Sequence, residues 1–418
     1  MKRNQFLLVF FLVLTSAALV FNGCKKDEDP VDLSLSSLTA GDIDLNGATS
    51  PSDVSVEPII KATFNVNIDP ATVTASSVTL TQDYDGASIP ITTEVSNNVI
   101  TIKPSQTLGS GTLYKLNMTA AIMSTDAKPM TNIDRTFTTA GTFSPAGMVA
   151  HWTFEDNAND VVGSFNPSAN GVVDITYVAG RNAAAGKAAK FNGTTSIIEI
   201  PNGDQLINTH DFTISFWVKT NSEGIEHGHF VMGLGAYYGI QFEIFGGYDG
   251  SKFAIQYEMG DGTTAAEDMW FPALATDNTN DGWQGWDFAK SLTVEQMIAK
   301  LKDNWLHITY IYDAAAKKGT LYFDGEKMKS FDFNLWPEED IKQTTVGLKY
   351  AGMTPDVYND LAFGFVQSRA GSMWANEPWG GYDFPDANHF KGQLDDVKIF
   401  HKAITANEVR LMYESEKP

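Results

Sequence analysis

Apolar and polar positions alternate with a period of two through most of this chain. In "IKATFNVNID", Phe64, Val66 and Ile68 fall on one face and Asn65 and Asn67 on the other. "NNVITIKP" sets Ile100 and Ile102 against Val99 and Thr101, and "LYKLNMT" aligns Tyr114, Leu116 and Met118. Short alternating runs broken by Pro, Asp and Gly turns predict a small β-sandwich over residues 50–140. "GTFSPAG" (141–147) then reads as a linker. A second alternating region follows. "FTISFWVKT" sets Phe212, Ile214, Phe216 and Val218 against Thr213, Ser215, Trp217 and Lys219. "WLHITYIYD" and "GTLYFDGEKM" flank a turn at Lys317-Lys318-Gly319, and a second turn falls at Asp324-Gly325, which predicts consecutive hairpins. "LDDVKIF" predicts a late strand. Helical periodicity is confined to "LTVEQMIAKLKD", with Leu292, Met297 and Leu301 to one side, and to "ITANEVRLMYE". In the latter, Thr405 is the expected N-cap, with Glu408 three residues on. The chain therefore reads as all-β.

The N-terminus breaks this pattern. Lys2 and Arg3 precede a run of 16 largely apolar residues, Phe6 to Phe21. A membrane-spanning helix needs about 20, so residues 1–23 read as a secretory signal peptide. The run ends in "FNGCKKDEDP", which holds Cys24, the only cysteine of the 418 residues. A lone cysteine forms no intrachain disulfide. Asn22-Gly23-Cys24 resembles the bacterial lipoprotein box, which implies cleavage before Cys24 and a lipid on its sulfur. The "KKDED" cluster resembles the surface-export signals of Bacteroidota lipoproteins. That resemblance implies an outer-membrane, lipid-anchored protein facing the extracellular side, touching the membrane only through its anchor. Residues 24–49 are polar and read as a tether. The formal net charge of −22 argues against nucleic acid as a partner. Acid-rich loops suit calcium, which takes oxygen ligands.

Two resemblances extend the reading. "FNVNIDPATVTASSVTL", "LGSGTLYKLNMTAAIMSTDAKPM" and "RTFTTAG" resemble, in that order, a bacterial Ig-like domain, here over residues 50–140; this implies a spacer module of cell-surface proteins. "MVAHWTFEDNANDVVGS", "AAKFNGTTSIIEIP", "DFTISFWVKT", "NWLHITYIYDAAAKKGTLYFDGEKM" and "FKGQLDDVKIFHKAITANEVRLMY" follow one another as in the laminin-G-like, concanavalin A-like lectin fold. That likeness covers about residues 147–415, within a domain assigned to 141–418, and implies two antiparallel sheets packed as a jelly roll. Segments 222–300 and 334–390 read as elaborated loops.

Three constellations follow. Strict alternation places Asp395 on the core face with Val397 and Ile399. A buried carboxylate needs a cation or several donors. The lectin-like family commonly holds a structural calcium near the junction of first and last strands, which implies calcium on Asp395 with Asp160; backbone N–H groups or a buried Arg are the alternatives. The second constellation is aromatic. Of nine Trp, five fall in the long loops: Trp270, Trp283, Trp286, Trp374 and Trp379. Indoles stack on the apolar faces of sugars, and Asn, Asp and Arg bond their hydroxyls. The expected carbohydrate site is therefore Trp374, Trp379, Tyr382 and Asn376, with Trp283, Trp286 and Arg369. The alternative is a satellite core that pins the loops. Trp152, Trp217, Trp305 and Trp336 read as packing residues. Third, His227 and His229 have strand spacing but no evident third ligand, and read as a solvated loop.

Catalytic motifs are absent. The Glu-x-Asp-x-x-Glu triplet of laminarinase-type enzymes does not occur, and Glu243, Glu258 and Asp261 lack its spacing. The expected function is non-catalytic binding of a glycan or polysaccharide at the cell surface, serving a polysaccharide-uptake system. The alternatives are an adhesin or assembly protein with a surface protein partner, and a glycoside hydrolase or lyase of the jelly-roll class.

Overall fold

The computed structural model describes residues 31–47, 49–272 and 285–418. Cys24, the signal segment and Trp283 lie outside the described residues. The chain divides into two compact units: one ends at Gln106 and resumes over Leu113–Thr138, and the other comprises Thr107–Thr112 and Thr139–Pro418.

The first unit is built from β1 (Leu35–Ala40), β2 (Ile43–Asp44), β3 (Ile60–Phe64), β4 (Val78–Gln82), β5 (Ser88–Ile89), β6 (Ile91–Ser96), β7 (Val99–Pro104), β8 (Leu113–Met118) and β9 (Ile133–Thr138). These form one sheet in the order β2-β1-β3-β7-β6 and another in the order β5-β4-β8-β9. The predicted faces hold: Phe64, Ile100, Ile102, Tyr114, Leu116 and Met118 are all buried. The strand at Phe64 stops earlier than the alternation implied. Beyond it Ile68 forms an isolated bridge with Ser124, and Asp69 caps a 3₁₀ turn that opens with Pro70.

The second unit begins with β10 (Met148–Trp152), β11 (Val172–Val173), β12 (Thr176–Ala179), β13 (Lys187–Asn192), β14 (Ile197–Ile200), helix α1 (Asp204–Ile207) and β15 (Phe212–Thr220). It continues with β16 (His229–Leu234), β17 (Ile240–Ile244), β18 (Ser251–Glu258), β19 (Thr264–Phe271), β20 (Trp286–Ala289) and helix α2 (Val294–Leu301). The last elements are β21 (Leu306–Asp313), β22 (Lys318–Phe323), β23 (Glu326–Asp332), β24 (Gly347–Leu348), β25 (Leu361–Phe363), β26 (Lys391–Phe400) and helix α3 (Ala406–Glu416). One sheet runs β12-β13-β26-β15-β21-β22-β23-β20 with β10 beside β26; the other runs β11-β14-β25-β16-β17-β18-β19 with β24 beside β18. One apolar core joins their inner faces, with Ile214, Phe216, Leu394, Val397 and Ile399 from the larger sheet and Ile198, Phe242, Phe253 and Phe363 from the smaller.

Both predicted helices form, each opened by a capping box, at Thr293 with Gln296 and at Thr405 with Glu408. Helix α3 explains why β15 is buried on both faces. Tyr413 stacks on Trp217 at 5.9 Å, and Trp217 Nε1 donates to Glu416 Oε2 at 2.9 Å. Trp152, Trp217 and Trp336 are buried packing residues, as predicted.

The phase of β26 departs from strict alternation. Trp217 pairs with Asp395 but Ser215 pairs with Lys398, so β26 spends one extra residue. The bulge sits at Asp396, whose φ is +45°. A bulge inserts one residue and turns the following side chains to the other face. Leu394 and Val397 therefore both face the core, and Asp395 faces outward beneath α3, not inward with Val397 and Ile399.

Candidate functional site

The chain between β25 and β26 lies on the outer face of the smaller sheet. Gly233 permits this, because a Cβ there would overlap the backbone carbonyl of Val366. Under the segment, Ile197, Phe230, Ala362, Phe365, Val366 and Ala387 form a second apolar cluster, with Trp374, Tyr382 and Tyr237 packed against it. Phe365 stacks on His389 at 4.6 Å and meets the edge of Tyr382 at 5.4 Å. Burial holds the His389 imidazole below its ordinary pKa.

Trp374 and Trp379 come together on this cover, with ring centres 4.8 Å apart and planes inclined by 53°. Trp379 remains 40% exposed. Tyr237 lies 6.1 Å from Trp374 and itself stacks on Tyr238 at 4.5 Å. Asn376 and Glu377 are exposed on the turn between the two indoles.

The other expected site residues are placed differently. Tyr382 is partly buried, and its hydroxyl donates to the Thr195 carbonyl. Arg369 is engaged by Glu199: Nη2 donates to Oε2 at 2.6 Å, Nε to the same oxygen at 3.1 Å, and the Arg369 amide to Oε1 at 2.7 Å. Burial pushes the Glu199 carboxyl up, but the Arg369 and Ser368 bonds outweigh it and hold the group below its usual range. Arg369 thus staples the segment to β14. Trp286 belongs to β20 on the larger sheet, packs against the main core and carries the Lys329 ammonium 5.8 Å from its ring centre. It shares no contact with the Trp374–Trp379 pair among the described residues.

Sequence reasoning missed the row beside this pair. On the outer face of β17–β19, Gln241 Nε2 donates to Glu243 Oε2 at 2.9 Å. Lys252 Nζ stands 3.4 Å from Glu243, 3.3 Å from Asp268 and 5.0 Å from the Trp270 ring centre. Burial pushes the Glu243 carboxyl up against the opposing pull of Lys252. Glu243 pairs across the ladder with Phe230, whose ring meets Trp379 at 6.3 Å. The available signal was alternation: in "IQFEI" and "EDMWF", Phe242, Ile244, Met269 and Phe271 point inward, which leaves Gln241, Glu243, Asp268 and Trp270 outward.

The carboxylates expected to hold calcium have other partners in this structure. Asp160 Oδ1 accepts from the amides of His151 (2.9 Å) and Val162 (3.0 Å), and its Oδ2 from Phe165 (3.1 Å). Asp395 Oδ2 accepts from Arg181 Nη1 at 2.6 Å while Arg181 Nη2 donates to Asp396 Oδ2 at 2.5 Å. Calcium needs six or more oxygens, whereas here a guanidinium supplies the positive charge and backbone amides fill the second carboxylate. Among the described residues no group of three or more His, Cys, Asp or Glu could hold a metal. His229 departs from the solvated-loop reading. It is fully buried in β16, and its Nε2 meets the Tyr248 hydroxyl at 2.9 Å. Its Nδ1 accepts from the Lys391 amide at 3.3 Å.

Comparison with known proteins adds the following. A search of curated proteins found no match. Among solved structures, similar chains include the binding domain of Paraclostridial mosquitocidal protein 1, at 17% identity over 64% of this chain and 52% of that one, TM-score 0.39. Domain 4 of the arabinanase AbnA from Geobacillus stearothermophilus, in complex with arabinotriose, is 20% identical over 64% of this chain and 98% of that one, TM-score 0.37. The ligand-binding domain of botulinum neurotoxin serotype D, in complex with N-acetylneuraminic acid, is 12% identical over 65% and 51%, TM-score 0.40. The match spans about half the length of the two toxin domains, and none of these likenesses carries an inference about ligand. Family models match two stretches: a bacterial Ig-like domain over residues 44–139, and the concanavalin A-like lectin/glucanases superfamily over residues 192–355. The chain thus carries a bacterial Ig-like domain over residues 44–139, followed by a stretch over residues 192–355 of the concanavalin A-like, laminin-G-like kind.

Proposed function

We propose that the second unit binds a carbohydrate without cleaving it, a sugar ring lying against the Trp374–Trp379 pair. The observation that carries this reading is the pair itself: two indoles 4.8 Å apart, one of them 40% exposed, held on a segment stapled to the sheet. An apolar ring surface fixed in place loses little entropy on receiving a ligand. Asn376 and Glu377 offer an amide and a carboxylate to hydroxyls at its rim. The matched superfamily of lectins and glucanases supports the same class of ligand. By the resemblance of the sequence around Cys24, the protein is carried on the outer membrane by a lipid, with the Ig-like unit as spacer, and serves polysaccharide uptake. A glycan array on the purified protein tests the reading. Trp379→Ala and Trp374→Ala should each weaken the strongest signal by about tenfold, or about 1.4 kcal/mol. An array signal indifferent to both substitutions would remove the site. No signal from any glycan would overturn the reading and favour a protein partner.

The Glu243–Lys252–Asp268 row favours a second reading, hydrolysis. Lys252 Nζ on β18 stands 3.4 Å from Glu243 on β17 and 3.3 Å from Asp268 on β19, so the two carboxylate oxygens it touches are at most about 6.7 Å apart. Inverting glycosidases hold theirs at about 6.5–9.5 Å, the acid with a raised pKa, and burial raises that of Glu243. Incubating the protein with the glycan it binds best decides between the two. Absence of new reducing ends removes hydrolysis; sugar release abolished by Glu243→Gln establishes it.

A further inference from the structure

A cavity of about 680 Å³ opens on the outer face of the larger sheet, on the part that α3 leaves uncovered. The ladders build its floor. Lys190 on β13 pairs with Gln393 on β26, and Gln393 pairs with Lys219 on β15. Ala189, Leu394 and Val218, their chain neighbours, point into the core, so this row points outward. The next row out repeats the arrangement, with Asn192 opposite Lys391 and the Asn221 amide donating to the Lys391 carbonyl at 2.9 Å. Ser222, Glu223 and Asp303 form one wall.

The charges in this cavity are not balanced. Three ammonium groups face two carboxylates, in a chain whose net charge is −22. Asp303 is already committed, accepting from the Ser222 amide and hydroxyl at 2.7 Å each. Lys391 donates to the Glu223 carbonyl. Among the described residues, the side chains of Lys190 and Lys219 have neither a hydrogen-bond nor an ion-pair partner, although Lys219 lies within electrostatic reach of Asp303. They flank Gln393 across two strand spacings, about 9–10 Å between backbones. An anion seated between them would be met by both ammonium groups. The only ring on the lining is Phe191, which is 1% exposed and offers no stacking platform. Recognition here must be by charge and hydrogen bonds.

We infer that this cavity binds an acidic oligosaccharide, its carboxylate or sulfate seated between Lys190 and Lys219 and its hydroxyls met by Gln393, Asn192 and Asn221. The volume lies within the usual range for small-ligand sites, about 300–1,000 Å³. The site is on the opposite sheet from the Trp374–Trp379 pair and stands independently of it.

Calorimetric titration of the purified protein tests this with three probes: trigalacturonic acid, a monosulfated galactotriose and uncharged galactotriose. At least one acidic probe should bind, and which one does names the anion. Lys190→Gln and Lys219→Gln should each weaken it by about tenfold, as for a lost hydrogen bond to a charged group. Added salt should weaken it further, whereas Trp374→Ala should leave it unchanged. Neither lysine side chain makes a hydrogen bond or an ion pair, so both variants should stay close to the parent's unfolding midpoint. Failure of both acidic probes to bind, equal binding of the uncharged trisaccharide, or affinity unchanged in both lysine variants would each overturn the inference. Loss of acidic-probe binding in Trp374→Ala would assign it to the other site and equally overturn it.

Discussion

His307 lies under α3 with its ring 4.9 Å from Trp217 and 6.1 Å from Tyr413, and its Nε2 meets Ser215 Oγ at 2.7 Å. Burial, with Lys398 and Arg181 nearby, holds its pKa down to about 3, against an opposing pull from Asp396. In the unfolded chain the value is about 6.5. Between those values the unfolded chain binds the extra proton, so stability falls as pH falls through that window. From pH 7 to pH 5 the loss from this one residue is about 2 kcal/mol. His229, held at about 3 chiefly by burial, adds a similar loss. Asp395 acts in the opposite sense: burial and Asp396 push its carboxyl up against the pull of Arg181, so its contribution is lost as pH rises through its folded value. The total slope mixes these effects, and the informative quantity is a difference. His307→Gln keeps an amide for Ser215 and removes the titration. It should be less stable than the parent at pH 7, and the gap should narrow by about 2 kcal/mol at pH 5. Urea unfolding followed by tryptophan fluorescence measures this in the second unit alone, since all nine Trp lie beyond residue 150. A gap that stays constant from pH 7 to pH 5 would refute the reasoning, because it would mean that His307 titrates as if solvated.

Arg181→Met leaves Asp395 and Asp396 without their guanidinium and should cost about 3–5 kcal/mol in the same assay, the usual price of breaking a buried pair. Gly233→Ala should displace the segment that carries Trp374 and Trp379, because the added Cβ overlaps the Val366 carbonyl. A changed fluorescence of the native state, with proteolysis within residues 364–390, would register it, and an unchanged cleavage pattern would count against the cover. Thr405→Ala removes the side-chain half of the α3 capping box and should lower stability by about 1 kcal/mol.

Period-two alternation was enough to place strands such as β7, β8, β15, β21 and β22 with their buried faces, because each side chain's face depends only on its own chain position; segment 222–300, read as an elaborated loop, instead forms β16–β19. Alternation failed where a neighbouring strand decides the matter. The bulge at Asp396 exists only in the pairing of β26 with β15, and it moved Asp395 from the core to the α3 side. The candidate sites divide in the same way. Trp374, Asn376 and Trp379 lie within six positions of one another, so their proximity was legible. Arg369 and Glu199 are 170 positions apart, and only the fold reveals that Arg369 is engaged. Glu243 and Asp268 fell in a segment read as an elaborated loop, and only the strands that form there, with Lys252 on the one between them, join the two.

The two outer sheet faces follow one physical rule. An outer face of Ile197, Phe230 and Ala362 on one sheet, or Trp217 on the other, is too apolar to remain in water. Each is therefore roofed, by the β25–β26 segment and by α3. The roofs differ in kind. The first is fastened chiefly by packed rings, with Arg369 at its edge, and leaves an indole surface at its rim. The second is fastened by charge: Lys398 pairs with Glu416, and Arg181 Nε donates to the Glu416 carbonyl at 2.8 Å. Where that roof ends, the outward row becomes Lys190, Gln393 and Lys219, polar enough to face solvent and short of partners. The ligand chemistry proposed for each face thus follows from what its roof leaves uncovered: an apolar ring platform on one sheet, and unpaired ammonium groups on the other.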